Sequence, residues 1–365
     1  MKAWLILSDG SVFEGKAIGA RGTTIGETVF TTGMTGYQET LTDPSYYGQI
    51  VTQTFPLIGN YGLIPEDYES KKSWVSGYIV RELCNQPSNF RCQGNLDDFL
   101  KAQGVIGICD IDTRALTKKL RESGVMNGMI VSGTDKCPEL NEKLINSIKE
   151  YKIVDAVSRV SIASSSNKIC SLNKKENNKR IVLWDFGAKA NIQRELEKRG
   201  CKVTVLPSSA SAEDIFSLNP QGLMLSNGPG DPAENTRIID EIRKICKKAT
   251  LPVFGICLGH QMLALARGCK TCKLKYGHRG GNHPVKDTQS GRVYITSQNH
   301  GYAVENASLP TYARMSFFNV NDGTVEGIDY TDIPAFSVQF HPEACGGPHD
   351  TNFLFDRFIE LIEKK

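Results

Sequence analysis

Apolar runs and helical periodicities alternate through the second half of the chain, from Arg180 onward. Each apolar run is short enough for a buried strand, and the segment after it repeats its apolar residues at helical spacing. Strands are predicted at 181–184, 202–206, 222–226, 251–254 and 336–340, and helices at 190–199, 212–217 and 234–248, with another beginning at Gln261. This alternation produces a parallel sheet covered by helices, and ligands bind where the carboxyl ends of such strands meet.

The first half of the chain has a different pattern. Short runs rich in β-branched residues occur at 4–7, 12–17, 27–31, 49–54 and 105–108, between turns that contain Gly or Asp-Pro. Two stretches, 97–103 and 113–123, have the pattern of helices, and Gly124 is a stop signal for the second.

A polar stretch separates the halves. Residues 161–167 and 173–179 are poor in apolar side chains, which is typical of a linker. We expect one domain at 1–152, a linker at 153–179 and a second domain at 180–365. The predicted fold class is α/β: a C-terminal doubly wound, mostly parallel sheet with helices on both faces, and a strand-rich mixed α/β N-terminal domain.

The segment around Cys257 has the pattern of a nucleophile elbow with cysteine in place of serine. Gly255 and Gly259 flank the thiol between the predicted strand and the predicted helix, where a strained turn requires close backbone approach. A cysteine at the start of a helix is favoured as a thiolate, and the unpaired N–H groups there can hold an oxyanion.

A second segment supplies a base and an acid. The predicted strand 336–340 ends in His341, and Glu343 lies on the same side of the chain if the backbone stays extended. A cysteine with a histidine and an orienting carboxylate is the set of groups that activates a thiol for acyl transfer. The alternative is that Cys257 is an ordinary buried cysteine, which would leave the flanking glycines and the downstream His-x-Glu unexplained.

Composition and charge exclude several classes of function. A net charge of +3 is too small to indicate nucleic acid or an anionic membrane as a partner. The amino terminus lacks the apolar stretch of a signal peptide, and no run has the length of a transmembrane helix. Eleven cysteines without framework spacing fit reduced thiols. We therefore expect a cytoplasmic protein.

Three other motifs are weaker. The sequence 10–16 has the G-x4-G-K spacing of a phosphate loop, but Ala17 replaces the residue that would hold magnesium. Cys269 and Cys272 form a lone C-x-x-C, and without a second pair we predict no metal site. Gly228-Pro229-Gly230-Asp231-Pro232 follows the predicted strand 222–226, and its prolines favour a rigid substrate loop over a dinucleotide site.

All six histidines lie in the second half of the chain, between His260 and His349. We predict a loop at 277–284, which contains His278 and His283, and expect most histidines besides His341 to be structural or exposed. The segment 297–302 is either a source of amide groups for a polar ligand or an ordinary turn.

Taken together, the segments at 226–232, 255–261 and 341–343 resemble the class I (triad) glutamine amidotransferase family. Segments at 35–39, 41–46, 59–62 and 112–117 look like the amino-terminal domain of the small subunit of carbamoyl-phosphate synthase, and 185–189, 277–284 and 297–302 add to that resemblance. It covers nearly the whole chain. One departure is Cys345-Gly346, where the family more often has Ser-Pro.

The resemblance implies a role for each residue that matches a family motif. Cys257 would attack the carboxamide of L-glutamine, His341 would shuttle the proton and Glu343 would orient the imidazole. The backbone amides of Gly230 and Leu258 would stabilise the oxyanion. The glutamine would be held by Ser45, Gly228, Gln261, Asn299, Gly301 and Tyr302.

The resemblance also implies a partner. No convincing ATP site is present in the sequence, and we expect no cofactor in this chain, with ATP and Mg²⁺ on a carbamoyl-phosphate synthase large subunit that receives the ammonia. The product would serve arginine or pyrimidine synthesis or both, and the heterodimers could form a higher oligomer.

Three alternatives belong to other classes. An amidotransferase for another synthetase, such as an anthranilate or guanylate enzyme, would not explain the amino-terminal motifs. A non-catalytic scaffold relative should lack Cys257, His341 or Glu343, and all three are present. A cysteine hydrolase that acts on peptides would not need the residues matched to the glutamine pocket.

Overall fold

A computed structural model describes residues 1–165 and 179–364. The chain forms two compact units, Met1–Val154 and Asp155–Lys365. Of the segment predicted as a linker, residues 166–178 lie outside the described residues, and Ala156–Val160 forms a short helix of the second unit.

The first unit contains a closed barrel with strand order β1-β2-β8-β6-β4-β3-β9, beside a small two-stranded sheet, β5-β7. Its strands are β1 (Lys2–Leu7), β2 (Val12–Gly19), β3 (Gly22–Thr31), β4 (Gln49–Gln53), β5 (Leu57–Ile58), β6 (Gly77–Ile79), β7 (Glu82–Leu83), β8 (Ile106–Cys109) and β9 (Met126–Ser132). Its helices are α1 (Tyr37–Thr42), α2 (Leu96–Ala102), α3 (Thr113–Ser123) and α4 (Glu142–Lys149), with 3₁₀ turns at Pro44–Tyr46 and Pro65–Asp67.

The barrel mixes parallel and antiparallel pairs. Strands β3, β4, β6 and β8 pair in parallel, and β1, β2 and β9 pair antiparallel with their neighbours. Apolar side chains from β1, β4, β6, β8 and β9 meet with Leu116 and Leu120 of α3 in one buried cluster. The strand-rich mixed α/β domain expected from the sequence is confirmed, and α2 and α3 lie within one residue of their predicted bounds.

The second unit contains a nine-stranded sheet with the order β11-β10-β12-β13-β18-β17-β15-β14-β16. Its strands are β10 (Arg180–Asp185), β11 (Lys202–Pro207), β12 (Gly222–Leu225), β13 (Val253–Ile256), β14 (Thr271–Asp287), β15 (Val293–Val304), β16 (Ala313–Asn319), β17 (Val325–Tyr330) and β18 (Ala335–Val338). Its helices are α5 (Ala156–Val160), α6 (Ala190–Lys198), α7 (Ala212–Ser217), α8 (Thr236–Lys248), α9 (Leu258–Ala266) and α10 (Phe353–Glu363), with 3₁₀ turns at Pro232–Glu234 and Asn306–Ser308.

Helices cover both faces of the parallel part of this sheet. Successive residues of β10 face opposite sides: Val182 and Trp184 pack in a cluster with α7, α8 and α9, whereas Ile181 and Leu183 pack in a cluster with α6 and α10. This doubly wound arrangement confirms the predicted fold class. No helix in the described ranges combines the length and apolarity needed to cross a bilayer.

The sheet continues past β18 as antiparallel strands, and here one local prediction is wrong. Residues 277–284, predicted as a loop, lie inside β14, which is interrupted by register irregularities between Lys273 and His278 and between Gly280 and His283. Residues 297–302 lie in β15, so the interpretation of that segment as a turn is also wrong. Both segments hide their strand character because glycines and polar side chains occupy buried positions.

Candidate active site

Cys257 occupies a sharp turn between β13 and α9. Its backbone has φ 54° and ψ −104°, a left-handed conformation that costs a non-glycine residue about 1–3 kcal/mol. The Cys257 N–H donates to the carbonyl of Val338 on the adjacent strand at 2.9 Å, and its own carbonyl accepts from the Gln261 N–H at 3.1 Å. The thiol is therefore held on a strained strand-to-helix turn at the carboxyl end of the sheet, as the elbow pattern predicted.

The glycines of the elbow have a steric reason. A Cβ on Gly255 would lie 2.9 Å from the Gly259 carbonyl oxygen, and a Cβ on Gly259 would lie 2.4 Å from the Leu225 carbonyl oxygen. Both neighbouring atoms belong to the backbone and cannot rotate away. The helix can start this close to β12 because Gly259 has no side chain, and its N–H then donates to Ser226 O at 3.0 Å.

His341 and Glu343 are buried and in direct contact. The imidazole Nδ1 lies 2.7 Å from Oε1 of Glu343, and the two side chains are 1% and 0% exposed. The chain turns after His341, since the Ala344 N–H donates back to the His341 carbonyl at 3.3 Å. The expectation of an extended His-x-Glu segment is wrong, but the turn still brings the carboxylate to the ring.

A buried lysine that the sequence analysis did not single out also contacts Glu343. Lys189 Nζ lies 3.3 Å from Glu343 Oε1, and its side chain is only 10% exposed. Asn191 donates its side-chain N–H to the Glu343 backbone carbonyl, and the Lys189 N–H donates to Asn227 Oδ1 at 3.0 Å. Only the position of Lys189, directly before the predicted helix 190–199, could have indicated that it lies at the edge where strands end.

These contacts shift the pKa values of His341 and Glu343 in opposite directions. Burial and the Lys189 ammonium lower the pKa of His341, but the Glu343 carboxylate and the Cys257 thiol outweigh them and raise it to about 9. Burial raises the pKa of Glu343, but His341 and Lys189 outweigh it and lower that pKa to about 2. Because the carboxylate stabilises the imidazolium form, His341 can accept the proton of the neighbouring thiol and hold it beside Glu343.

Polar groups of α9 and β15 line the other side of the thiol. Cys257 Sγ lies 3.6 Å from the backbone oxygen of Asn299, on β15. Gln261, one helical turn after the cysteine, donates through Nε2 to Tyr302 O at 2.7 Å and to Gln339 Oε1 at 2.8 Å. Gly301 lies on β15 between Asn299 and Tyr302. Asn299 thus lies next to the thiol, Gln261 connects the elbow helix to Tyr302, and Gly301 lies on the same strand.

The loop after β12 approaches the elbow from a third direction. A Cβ on Gly228 would lie 2.2 Å from the Phe186 carbonyl oxygen and 2.8 Å from Leu258 Cδ2, so this glycine packs against the first residue of α9. Gly230 has φ +87°, and a Cβ there would lie 3.0 Å from the Ala156 side chain on α5. The loop is therefore built around two glycines that a larger residue could not replace without displacement.

Ser45 lies in the first unit, in the 3₁₀ turn Pro44–Tyr46, where its backbone N–H donates to Asp43 Oδ1 at 2.9 Å. It is 7% exposed. Its contact with glutamine stays a prediction.

His260 also lies close to the elbow, yet its environment is that of a structural histidine. Its Nδ1 lies 2.8 Å from Ser337 Oγ, and burial lowers its pKa to about 3. It is neutral at physiological pH and fully buried.

The whole-chain comparisons agree with this geometry. The family profile "Carbamoyl-phosphate synthase small chain, CPSase domain" matches residues 5–130, and "Glutamine amidotransferase class-I" matches residues 182–361. The carbamoyl phosphate synthase small chain of Clostridium perfringens is 52% identical over 360 residues, covering 99% of both chains. That of Listeria monocytogenes serotype 4b is 50% identical over 366 residues, covering 100% of this chain and 98% of the relative.

The chain belongs to the carbamoyl-phosphate synthase small-chain family. It is a glutamine-hydrolysing amidotransferase chain, as the resemblance of its motifs indicated. Among solved structures, a glutamine amidotransferase from Thermotoga maritima is 20% identical with a TM-score of 0.38, covering 51% of this chain and 85% of that one.

Proposed function

We propose that this chain hydrolyses L-glutamine through a thioester on Cys257. The observation that carries the assignment is the buried thiol at φ 54°, placed beside a His341–Glu343 pair with Nδ1 and Oε1 2.7 Å apart. A thiol next to a base that is oriented by a carboxylate is suited to covalent acyl transfer.

The proton and bond changes follow from the positions of these groups. His341 takes the proton of the Cys257 thiol as the sulfur bonds to the carboxamide carbon of glutamine, and the imidazolium so formed gives that proton to the leaving nitrogen as the carbon–nitrogen bond breaks. Water then attacks the thioester with His341 as base, which releases glutamate and restores the thiol. Glu343 accepts a hydrogen bond from the Nδ1–H of the His341 ring, so Nε2 is the nitrogen that exchanges the proton.

The oxyanion of the tetrahedral intermediate is assigned to the backbone amides of Gly230 and Leu258. Leu258 is the first residue of α9, where N–H groups and the helix dipole favour negative charge. A preorganised donor of this kind contributes about 10²- to 10³-fold to the rate.

We assign the binding of glutamine to Ser45, Gly228, Gln261, Asn299, Gly301 and Tyr302. The contacts of Gln261 and Asn299 around the elbow support this assignment for the residues of the second unit. Ser45 keeps the role that the family resemblance gives it.

The ammonia needs an acceptor, and we propose that it passes to the carbamoyl-phosphate synthase large subunit. Making carbamoyl phosphate from bicarbonate requires phosphoryl transfer, which we assign, with ATP and Mg²⁺, to that subunit. Direct transfer matters because ammonia released into neutral water would be mostly protonated and would lose its nucleophilicity. Higher oligomers of the heterodimer are compatible with this scheme.

We also propose a cytoplasmic location. The cysteines in the described part of the chain form no disulfides, which suits a reducing compartment.

The test is to purify the wild-type chain and Cys257→Ala in complex with the large subunit, and to measure carbamoyl phosphate made from glutamine and from ammonium. We expect Cys257→Ala to lose synthesis from glutamine and keep synthesis from ammonium, because the thiol acts on the amide alone. The exposed Cys272→Ala is the matched control and should keep both. A Cys257→Ala complex that retains glutamine-dependent synthesis would place the nucleophile elsewhere.

A further inference from the structure

Two histidines and a glutamate that do not belong to the triad meet inside the antiparallel part of the second sheet. His278 on β14 lies directly opposite His300 on β15, and Glu326 comes from β17. One nitrogen or oxygen atom from each of the three lies within 4.8 Å of the others. The side chains are 9%, 2% and 0% exposed, respectively.

The second nitrogen of each ring is already fixed by an oxygen. His278 Nε2 lies 2.9 Å from Asp322 Oδ2, and His300 Nδ1 lies 2.8 Å from the Tyr302 carbonyl oxygen. A carbonyl only accepts, so His300 Nδ1 carries a proton, and Nε2 of the same ring faces Gln298 Oε1 at 3.0 Å and Glu326 Oε1 at 3.9 Å. Metal-binding histidines are oriented in this way, with the other ring N–H donated to a carboxylate or a backbone carbonyl.

Glu326 brings a fully buried carboxyl group into this interior, and its two oxygens are unequally partnered: Oε1 accepts from Thr324 Oγ1 at 3.4 Å and has further neighbours. Its Oε1 lies 3.4 Å from His278 Nδ1, 3.9 Å from His300 Nε2 and 3.3 Å from the Asn319 side-chain nitrogen. Its Oε2 is buried and has no hydrogen-bond partner among the described residues. A fully buried carboxylate is costly unless a cation compensates it.

Two of the three distances between donor atoms are close to those around a small tetrahedral ion, and the third, between the two imidazole nitrogens, is within 4.8 Å. Metal–ligand bonds of about 2.0–2.1 Å place neighbouring donors roughly 3.3 Å apart. The Glu326–His278 pair, at 3.4 Å, already has this separation, and the Glu326–His300 pair must close by only about half an ångström.

We propose that His278, His300 and Glu326 bind one divalent transition-metal ion, zinc in the first instance. Two imidazoles and a carboxylate form a common zinc donor set. The fourth position can be taken by water or by Gln298, whose Oε1 lies 3.0 Å from His300 Nε2. The ion would tie β14, β15 and β17 together. The three ligands are far apart in the sequence. The prediction of no metal rested on the spacing of the lone C-x-x-C, and such local spacing gives no sign of them.

The test uses Co²⁺ as a spectroscopic probe on the full chain carrying Cys257→Ala and Cys272→Ser, after removal of metals with a chelator. We expect one equivalent of Co²⁺ to bind, with visible bands of tetrahedral nitrogen and oxygen ligation, no thiolate charge-transfer band, and displacement by Zn²⁺. Saturating Zn²⁺ should raise the melting temperature because it binds the folded state.

Two variants locate the ion. Glu326→Gln should abolish Co²⁺ binding, and Asp322→Asn should weaken it about 10- to 100-fold because Asp322 only orients His278. The exposed Glu360→Gln on α10 is the control and should bind normally. The Asp322 side chain is 43% exposed, so we expect Asp322→Asn to fold. It therefore tests the site even if Glu326→Gln, which changes a fully buried residue, fails to fold.

Two results would overturn the proposal. One is the absence of a Co²⁺ equivalent in the cysteine-substituted chain, and the other is equal Co²⁺ affinity in wild type, Glu326→Gln and Asp322→Asn. Either would mean that a His278 imidazolium, with Nε2 facing Asp322 and Nδ1 facing Glu326, holds these atoms together without a metal.

Discussion

The two parts of the nine-stranded sheet place functional groups by different means. In the parallel part, the reactive thiol sits on a turn after β13, and its position depends on glycines whose Cβ atoms would clash with backbone. In the antiparallel part, β14, β15 and β17 place side chains opposite each other by strand register, as with His278 and His300. A tight turn is recognisable in the sequence because the residues that it constrains are adjacent. Strand register brings together residues that are far apart in the sequence, so it is not recognisable in this way.

The largest expected effect is on the triad in the parallel part. His341→Asn should reduce the glutaminase rate by about 10⁴-fold or more, because the thiol loses its proton partner. Glu343→Gln should be about 10- to 100-fold less severe, because the carboxylate orients the ring and does not exchange the proton. Turnover of glutamine by the complex with the large subunit measures both, and equal losses would contradict the separate roles.

A smaller effect is expected when the elbow is distorted and the triad is left intact. Gly259→Ala places a Cβ 2.4 Å from the Leu225 carbonyl oxygen, so α9 must shift. We expect a loss of about 1–3 kcal/mol in the free energy of unfolding. The shift should also lower the glutaminase rate by about 10²-fold, through misplacement of Cys257.

The matched control for this change lies in the antiparallel part. A Cβ on Gly281 of β14 would meet only ordinary contacts, 3.6 Å from Pro348 Cδ and 3.7 Å from Ser297 Oγ. Gly281→Ala should therefore leave denaturant unfolding and turnover close to wild type. If Gly281→Ala were as damaging as Gly259→Ala, close backbone approach would not be the reason for the elbow glycines.

The smallest effect is on the electrostatics of the pair. Lys189 lowers the pKa of His341, so Lys189→Met should raise that pKa above its value of about 9. The imidazolium would then persist to higher pH. The chemical shift of the His341 ring protons across a pH titration measures this change. Lys198→Met changes an exposed lysine at the other end of α6, the helix that follows Lys189, and should leave the pKa of His341 unchanged. A lowered pKa in Lys189→Met would contradict the assigned contact.

The sequence predicted the parallel part well for a physical reason. Buried parallel strands are short apolar runs followed by periodic helices, and the bounds of β10, β11, α6 and α7 agree with the predicted ones within about two residues. The elbow was recognisable because its steric demands fall on adjacent residues. The contact between His341 and Glu343 was predicted correctly from spacing, although the turn that creates it was not.

What the sequence could not predict depends on groups that are distant along the chain. Lys189 contacts Glu343 across the carboxyl edge of the sheet, and nothing around Lys189 indicates that partner. Residues 277–284 of β14 were predicted as a loop because their glycines and histidines lack the alternation of apolar and polar residues that marks a half-buried strand. The barrel strands β6 and β9 were missed as well, and β6 has only three residues.

The central claim is that Cys257 forms the covalent bond to glutamine. The direct measurement is rapid acid quenching of the complex during glutamine turnover, followed by proteolysis and mass spectrometry of the cysteine-containing peptides. The account predicts a glutamyl thioester on the peptide that contains Cys257, and none in Cys257→Ala. A glutamyl group on another cysteine, such as the exposed Cys345, with Cys257 unmodified throughout turnover, would contradict it.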